Sequence, residues 1–234
     1  MAKNTTRLGG SKATFASMME NGFGIVTVMN AKIYETSTLT ETDGFFDKTA
    51  PEILTALKAI TTEEAGYVCE LDTLKIANVP QEGPTKIVTG GRYSNPLIKF
   101  GKSARLEMQD ALGNAKAIDA LCGGVREWDA DTTDEPNTVA LHFGEDFNST
   151  KTIVGDSFFI DRKTGQQVKV KILFYQFLPD AIFNLTQDAE GDATVFDMNG
   201  DLLTTEIKVG DNEGTSISHG IFYSIIEEPT ISNN

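Results

Sequence analysis

Residues Leu97 to Gln109 read LIKFGKSARLEMQ, and their alternation decides the fold class. Ile98, Phe100, Ala104, Leu106 and Met108 fall on one side of an extended chain, with Lys102 the exception among them. Lys99, Ser103, Arg105, Glu107 and Gln109 fall on the other. Strand side chains alternate with period two, so this stretch predicts one long strand with an apolar and a wet face. Such strands belong to antiparallel sheets that are open to water on one side.

Upstream, Tyr67 to Asn78 (YVCELDTLKIAN) reads as a strand, and the turn-rich segment Val79 to Asn95 separates it from Leu97, with Ile87 to Thr89 extended inside it. Gly24 to Glu35 is rich in β-branched residues and shows no helical stripe, so it too is expected to be extended. A helix is expected from Ala50 to Ile60. Thr49 is its N-cap, Glu52 the reciprocal partner three residues on, and Pro51 lies in the first turn. Ile53, Leu54, Leu57 and Ile60 give it one apolar stripe. A second short helix is expected from Asn114, its cap, to Cys122, ended by Gly123-Gly124 and burying Ala117, Ile118 and Leu121.

Downstream the pattern is almost entirely hairpins. SFFID and QQVKVKILFY pair across the turn RKTG, with Gly165 in the left-handed position. Leu203 to Val209 alternates up to the turn GDNEG, and Gly220 to Ile226 is apolar enough to be a strand buried on both faces. The fold class expected is mainly β: antiparallel sandwich- or barrel-like sheets with one or two short flanking α-helices. Residues 1–23 read as a flexible N-terminal arm, 24–228 as a single mainly β domain, and 229–234 as a frayed C-terminus.

The acidic stretch Leu185 to Leu203, LTQDAEGDATVFDMNGDLL, invites comparison with a calcium loop. An EF-hand loop needs oxygen ligands at positions 1, 3 and 5, glycine at 6 and a bidentate Glu at 12. Starting from Asp188, those last two positions hold Ala193 and Asn199; starting from Asp197, they hold Leu202 and Lys208. The stretch is therefore expected to form two turns, at 190–192 and 199–201, framing a strand from Ala193 to Met198.

Other chemistry is equally thin. Cys69 and Cys122 lack metal-ligand spacing and read as buried, reduced thiols. His142 and His219 are the two histidines, and neither sits in a nucleophile motif. Gly155-Asp156-Ser157 and Gly214-Thr-Ser216 resemble hydrolase signatures only in part, and no phosphate-binding glycine loop is present. The expectation is of no enzyme, no cofactor and no metal. The loop Asp129 to Glu135 reads as an exposed tip. No apolar run is long enough for a membrane span, and the N-terminus lacks the apolar block of a secretory signal.

The charge is lopsided. Of the net −14, residues 126–234 carry −13, with 20 Asp and Glu against 7 Lys and Arg. An acidic surface repels nucleic-acid phosphates, which excludes a sequence-specific DNA binder.

Three phrases, KFGKSARLEMQDALGNAKAIDALCGG (99–124), FFIDRKTGQQVKVKILFY (158–175) and LTQDAEGDATVFDMNGDLL (185–203), together resemble the major tail or tail tube proteins of tailed bacteriophages. The resemblance spans about residues 67 to 209 in pieces. It implies a virion structural protein, assembled in the host cytoplasm, whose subunits form hexameric rings. The rings stack into a tube, and the sheets of neighbours join in an inner barrel that conducts DNA without binding it. Implied partners are copies of itself and other tail proteins such as the tape measure and terminator. The lumen wall would be the face Lys99, Ser103, Arg105, Glu107 and Gln109. Contacts with the next ring would come from the N-terminal arm or the segment holding Pro80, Glu82, Pro84, Arg92 and Tyr93. Family lumens are often distinctly acidic, whereas this strand mixes both signs. The alternatives are a β-sandwich binding module of the fibre or adhesin type, which usually clusters exposed Trp and Tyr, and a head or connector protein.

Overall fold

The alternating stretch at Leu97 is divided between two sheets. A computed structural model describes residues 15–21, 23–25, 30–42, 44–71, 74–82, 85–87, 97–99, 101–110, 115–128, 138–143, 149–162, 165–180, 196–211 and 214–228. Four short helices are described: α1 (Phe15–Asn21), α2 (Thr36–Glu41), α3 (Ala50–Ala59) and α4 (Ala115–Cys122). The strands are β1 (Phe23–Ile25), β2 (Ala31–Glu35), β3 (Tyr67–Leu71), β4 (Leu74–Asn78), β5 (Gln81–Glu82), β6 (Thr85–Ile87), β7 (Leu97–Lys99) and β8 (Ser103–Asp110). They continue with β9 (Gly124–Trp128), β10 (Thr138–Phe143), β11 (Lys151–Asp161), β12 (Gln167–Pro179), β13 (Phe196–Leu203), β14 (Thr205–Asp211), β15 (Gly214–Ile221) and β16 (Tyr223–Glu227).

Ten strands form one antiparallel sheet with the order β3-β2-β11-β12-β13-β8-β4; β1 joins β11, β16 joins β12 and β5 joins β8. Three two-stranded sheets, β6–β7, β9–β10 and β14–β15, complete a mainly β, sandwich- and barrel-like architecture with short flanking helices.

The central strand β12 is buried on both faces. Ile172 and Phe174 join Ile33, Leu71, Leu106, Met108, Met198 and Leu202 in a core that α4 covers with Ala117, Ile118 and Leu121. Leu173 and Tyr175 face the other way, onto Leu39, Ile53, Leu54, Leu57 and Ile207. Between Phe174 and Phe177 the register against β11 slips by one residue. That bulge lets both phenylalanines enter the same core, which strict alternation forbids.

Both expected main helices form. Glu52 Oε2 accepts from the Thr49 backbone N–H at 2.9 Å and from its hydroxyl at 2.7 Å, so the Glu52 half of the expected capping box fixes the start of α3. Gly123, at φ 73°, closes α4. The hairpin β11–β12 also forms, with Gly165 at φ 69°. Both cysteine thiols are buried, and burial pushes the Cys122 thiol up to about 11.

Several boundaries differ from expectation. The long strand breaks at Gly101 and Lys102, both exposed coil positions; β7 pairs with β6 and β8 with β13. A break there keeps the Lys102 charge out of the apolar row, where burial would be costly. Gly24 to Glu35 is two strands, both paired with β11 but at different points along it. Tyr67 to Asn78 likewise becomes β3 and β4, at opposite ends of the main sheet. Leu203 to Val209 divides at Thr204, where the chain leaves the main sheet for the β14–β15 hairpin.

Gly220 to Ile226 breaks at Phe222, and only Ile226 of β16 is fully buried, because β16 pairs on one side alone among the described residues. The expected turn at 199–201 is the middle of β13. Part of the presumed arm is ordered as α1, where Met18 is fully buried against Phe159 and Val170. The cap Asn114, the loop 129–135, the turn at 190–192 and the tail 229–234 lie outside the described residues.

Candidate functional site

The wet face of β8 is assembled by its pairing with β13. Ala104, Leu106 and Met108 are buried, so strand geometry turns Ser103, Arg105, Glu107 and Gln109 to the opposite side. The register sets Asp201 beside Arg105, Asn199 beside Glu107 and Asp197 beside Gln109. Directly opposed residues on one face are close enough to interact, and these do. Gln109 Nε2 donates to Asp197 Oδ1 at 3.0 Å. Arg105 donates through Nη1 to Asp201 at 2.8 Å and through Nη2 to Asp180 at 2.5 Å.

Gly200 lets β13 lie close against β12 on its other side. A Cβ there would lie 2.2 Å from the Leu178 carbonyl oxygen and 2.7 Å from the Phe177 ring. A strand glycine at such a point marks close backbone approach. The sequence Asn199-Gly200-Asp201 carries the same residue types as a turn, which is why it misleads.

The electrostatics follow from the pairing. Arg105 is held by two carboxylates, and the hydrogen bond to Asp180, followed by the charges of Asp180 and Asp201, raises its already high pKa. The mixed strand β8 therefore presents, together with its neighbour, one arginine against the carboxylates of Glu107, Asp180, Asp197 and Asp201. Beside this strip lies an open depression of about 640 Å³ reaching Pro80, Lys102, Thr204 and Phe222.

Four of the five residues expected on one wall are thus brought together. Lys99 is not, because its strand β7 belongs to the separate β6–β7 sheet. Of the segment expected to contact a second ring, Pro80 is exposed and its carbonyl accepts from the Arg105 backbone N–H at 3.1 Å. Glu82 pairs with Ser103 in β5–β8. Pro84, Arg92 and Tyr93 lie outside the described residues. Asp180, Asp197, Asn199 and Asp201 were missed as members of the face. For the last three the signal was present as polar residues at every second position, 197, 199 and 201; Asp180 carries no such signal.

The two histidines are exposed on two-stranded hairpins, each against a glutamate of the paired strand: His142 with Glu127 at 2.9 Å and His219 with Glu206 at 2.6 Å. Asp156 and Ser157 lie in mid-strand β11, with Asp156 bonded to Lys171. Among the described residues no group of three or more His, Cys, Asp or Glu is arranged to hold a metal ion. Among them, too, no helix is long and apolar enough to cross a membrane. The chain matches no protein-family model and no curated protein.

Proposed function

We propose that the chain is a tail tube subunit of a tailed bacteriophage, forming hexameric rings that stack into a passive conduit for DNA within the virion. The observation that carries this reading is the β8–β13 strip, a wet and acidic face on a curved antiparallel sheet whose other face is core. Such a face suits the lumen of a barrel closed by joining the sheets of neighbouring subunits, which also removes exposed strand edges. Duplex DNA slides best past a wall that does not neutralise its phosphates, since each lysine or arginine contact releases counterions and adds affinity. Here the one arginine is already engaged by two carboxylates.

Glu107 and Asp197 are exposed and stand on neighbouring strands of the strip, so Glu107→Lys with Asp197→Lys reverses the wall at little cost to the core. Wild-type assemblies are expected to leave linear duplex DNA unbound in a filter-binding assay, and the double variant to retain it in a salt-sensitive way. Equal behaviour of the two assemblies would remove this face from the lumen. Tight DNA binding by the wild-type subunit would end the conduit reading.

A further inference from the structure

On one side β16 pairs with β12; on the other it meets no described strand. Its register says which backbone groups are left over. The Glu228 N–H donates to the Lys169 carbonyl at 3.1 Å, and the Tyr175 N–H to the Phe222 carbonyl at 3.4 Å. Bonded residues alternate along an antiparallel ladder, so Ser224 and Ile226 also turn to β12, while Tyr223, Ile225 and Glu227 turn their N–H and C=O groups outward. No described backbone group meets them there. Tyr223 and Ile225 are half-buried, and a backbone group shielded from water without a partner is costly.

Outside this edge runs an open groove of about 660 Å³. Residues 224–227 line it in succession, and so do residues 207–210 of β14. Successive strand side chains point to opposite faces, so a groove lined by four in a row follows the edge of each strand. Ala50, Pro51 and Leu54 of α3 give it an apolar floor. The β14 edge is already held at Lys208, whose N–H donates to the Lys48 carbonyl at 3.1 Å. That leaves the β16 edge for a guest, and an extended segment added to such an edge bonds through its main chain.

Position, length and charge name the guest. Phe15, the first residue of α1, itself lines the groove, so the fourteen residues before it, which lie outside the described ones, set out from there. Fully extended they reach about 46 Å, against about 17 Å for the five residues of β16. Of the charged residues lining the groove, Lys58 meets Glu228 at 3.5 Å and Lys208 meets Asp47 at 3.0 Å. Glu227 is left without an ion pair among the described residues. Residues 1–14 supply Lys3, Arg7 and Lys12 and no carboxylate, with Leu8 as an apolar side chain for the floor.

We propose that residues 1–14 lie in this groove of their own chain as a strand added to β16, their backbone bonding to Tyr223, Ile225 and Glu227 and their cations facing Glu227. A segment tethered this closely is present at an effective concentration of about millimolar, so it covers the edge ahead of a second copy at micromolar concentration. Covered in this way, β16 cannot template unwanted strand pairing. The docking does not rest on tube assembly, because one chain holds both parts.

Amide hydrogen exchange on dilute, monomeric protein at low salt tests it, read at the N–H groups of Tyr223, Ile225 and Glu227. These are expected to exchange slower by about tenfold or more in the full chain than in a chain lacking residues 2–14. Glu227→Lys changes one exposed side chain of the full chain and should speed exchange at Tyr223 and Ile225 several-fold, which keeps the test open if the shortened chain folds poorly. Equal rates in the full and shortened chains overturn the docking; if the shortened chain does not fold, rates unchanged by Glu227→Lys do so instead. Protection that grows with protein concentration also overturns it, because the groove then takes the segment of another copy.

Discussion

Gly200 shows how one residue fixes the arrangement of the whole wet strip. With a Leu178 carbonyl oxygen 2.2 Å from where a Cβ would stand, Gly200→Ala must push β13 away from β12. Overpacking of this kind costs about 1–3 kcal/mol, so the urea midpoint of Gly200→Ala is expected to fall accordingly, and an unchanged midpoint would show that the strands do not approach as described. The same residue marks where sequence reasoning fails. Asn-Gly-Asp is turn chemistry by local preference, and only the position of Phe177 on another strand gives the glycine a different reason to exist. Arg105 teaches a related lesson. Its side of β8 follows from alternation alone, but its two partners come from distant positions, and alternation at 197, 199 and 201 gives Asp201 a polar face without naming Arg105 as what it meets.

At the scale of elements, what the sequence specifies locally is what it discloses. The start of α3 is set by Thr49, Pro51 and Glu52 within four residues, and the end of α4 by Gly123, so both helices were legible. Strand ends at Lys102, Thr204 and Phe222 were not, because they are set by which strand lies alongside. The α3 start carries a pH dependence with a definite sign. Hydrogen bonds from the Thr49 backbone and side chain hold the Glu52 carboxyl below its ordinary range. A group with a depressed folded-state pKa stabilises above its unfolded pKa, and that contribution disappears as pH falls through the folded value. The melting temperature of wild type should therefore exceed that of Glu52→Gln at about pH 7, and the gap should shrink as pH falls below the ordinary glutamate value of about 4.3. A gap of constant size across that range would show that the capping interaction does not depend on the ionised carboxylate.

For the whole molecule, the proposed assembly has to bring together subunits that each carry a charge of −14. Mutual repulsion must be offset by apolar burial and by pairing of strand edges, and salt screens the repulsion at a Debye length of about 10 Å at 0.1 M and about 3 Å at 1 M. Among the described residues the two-stranded sheets β6–β7 and β9–β10 pair with no further strand, and β14–β15 is joined beyond its own hairpin by a bridge from Thr49 to Lys208; Val125, Phe143, Val209 and Ile217 on the latter two are at least 41% exposed. Electron microscopy of the purified protein at low salt and at several hundred millimolar salt tests the claim most directly. The account predicts six-fold rings and hollow tubes that become more numerous as salt rises. Monodisperse single subunits at every salt concentration would contradict it.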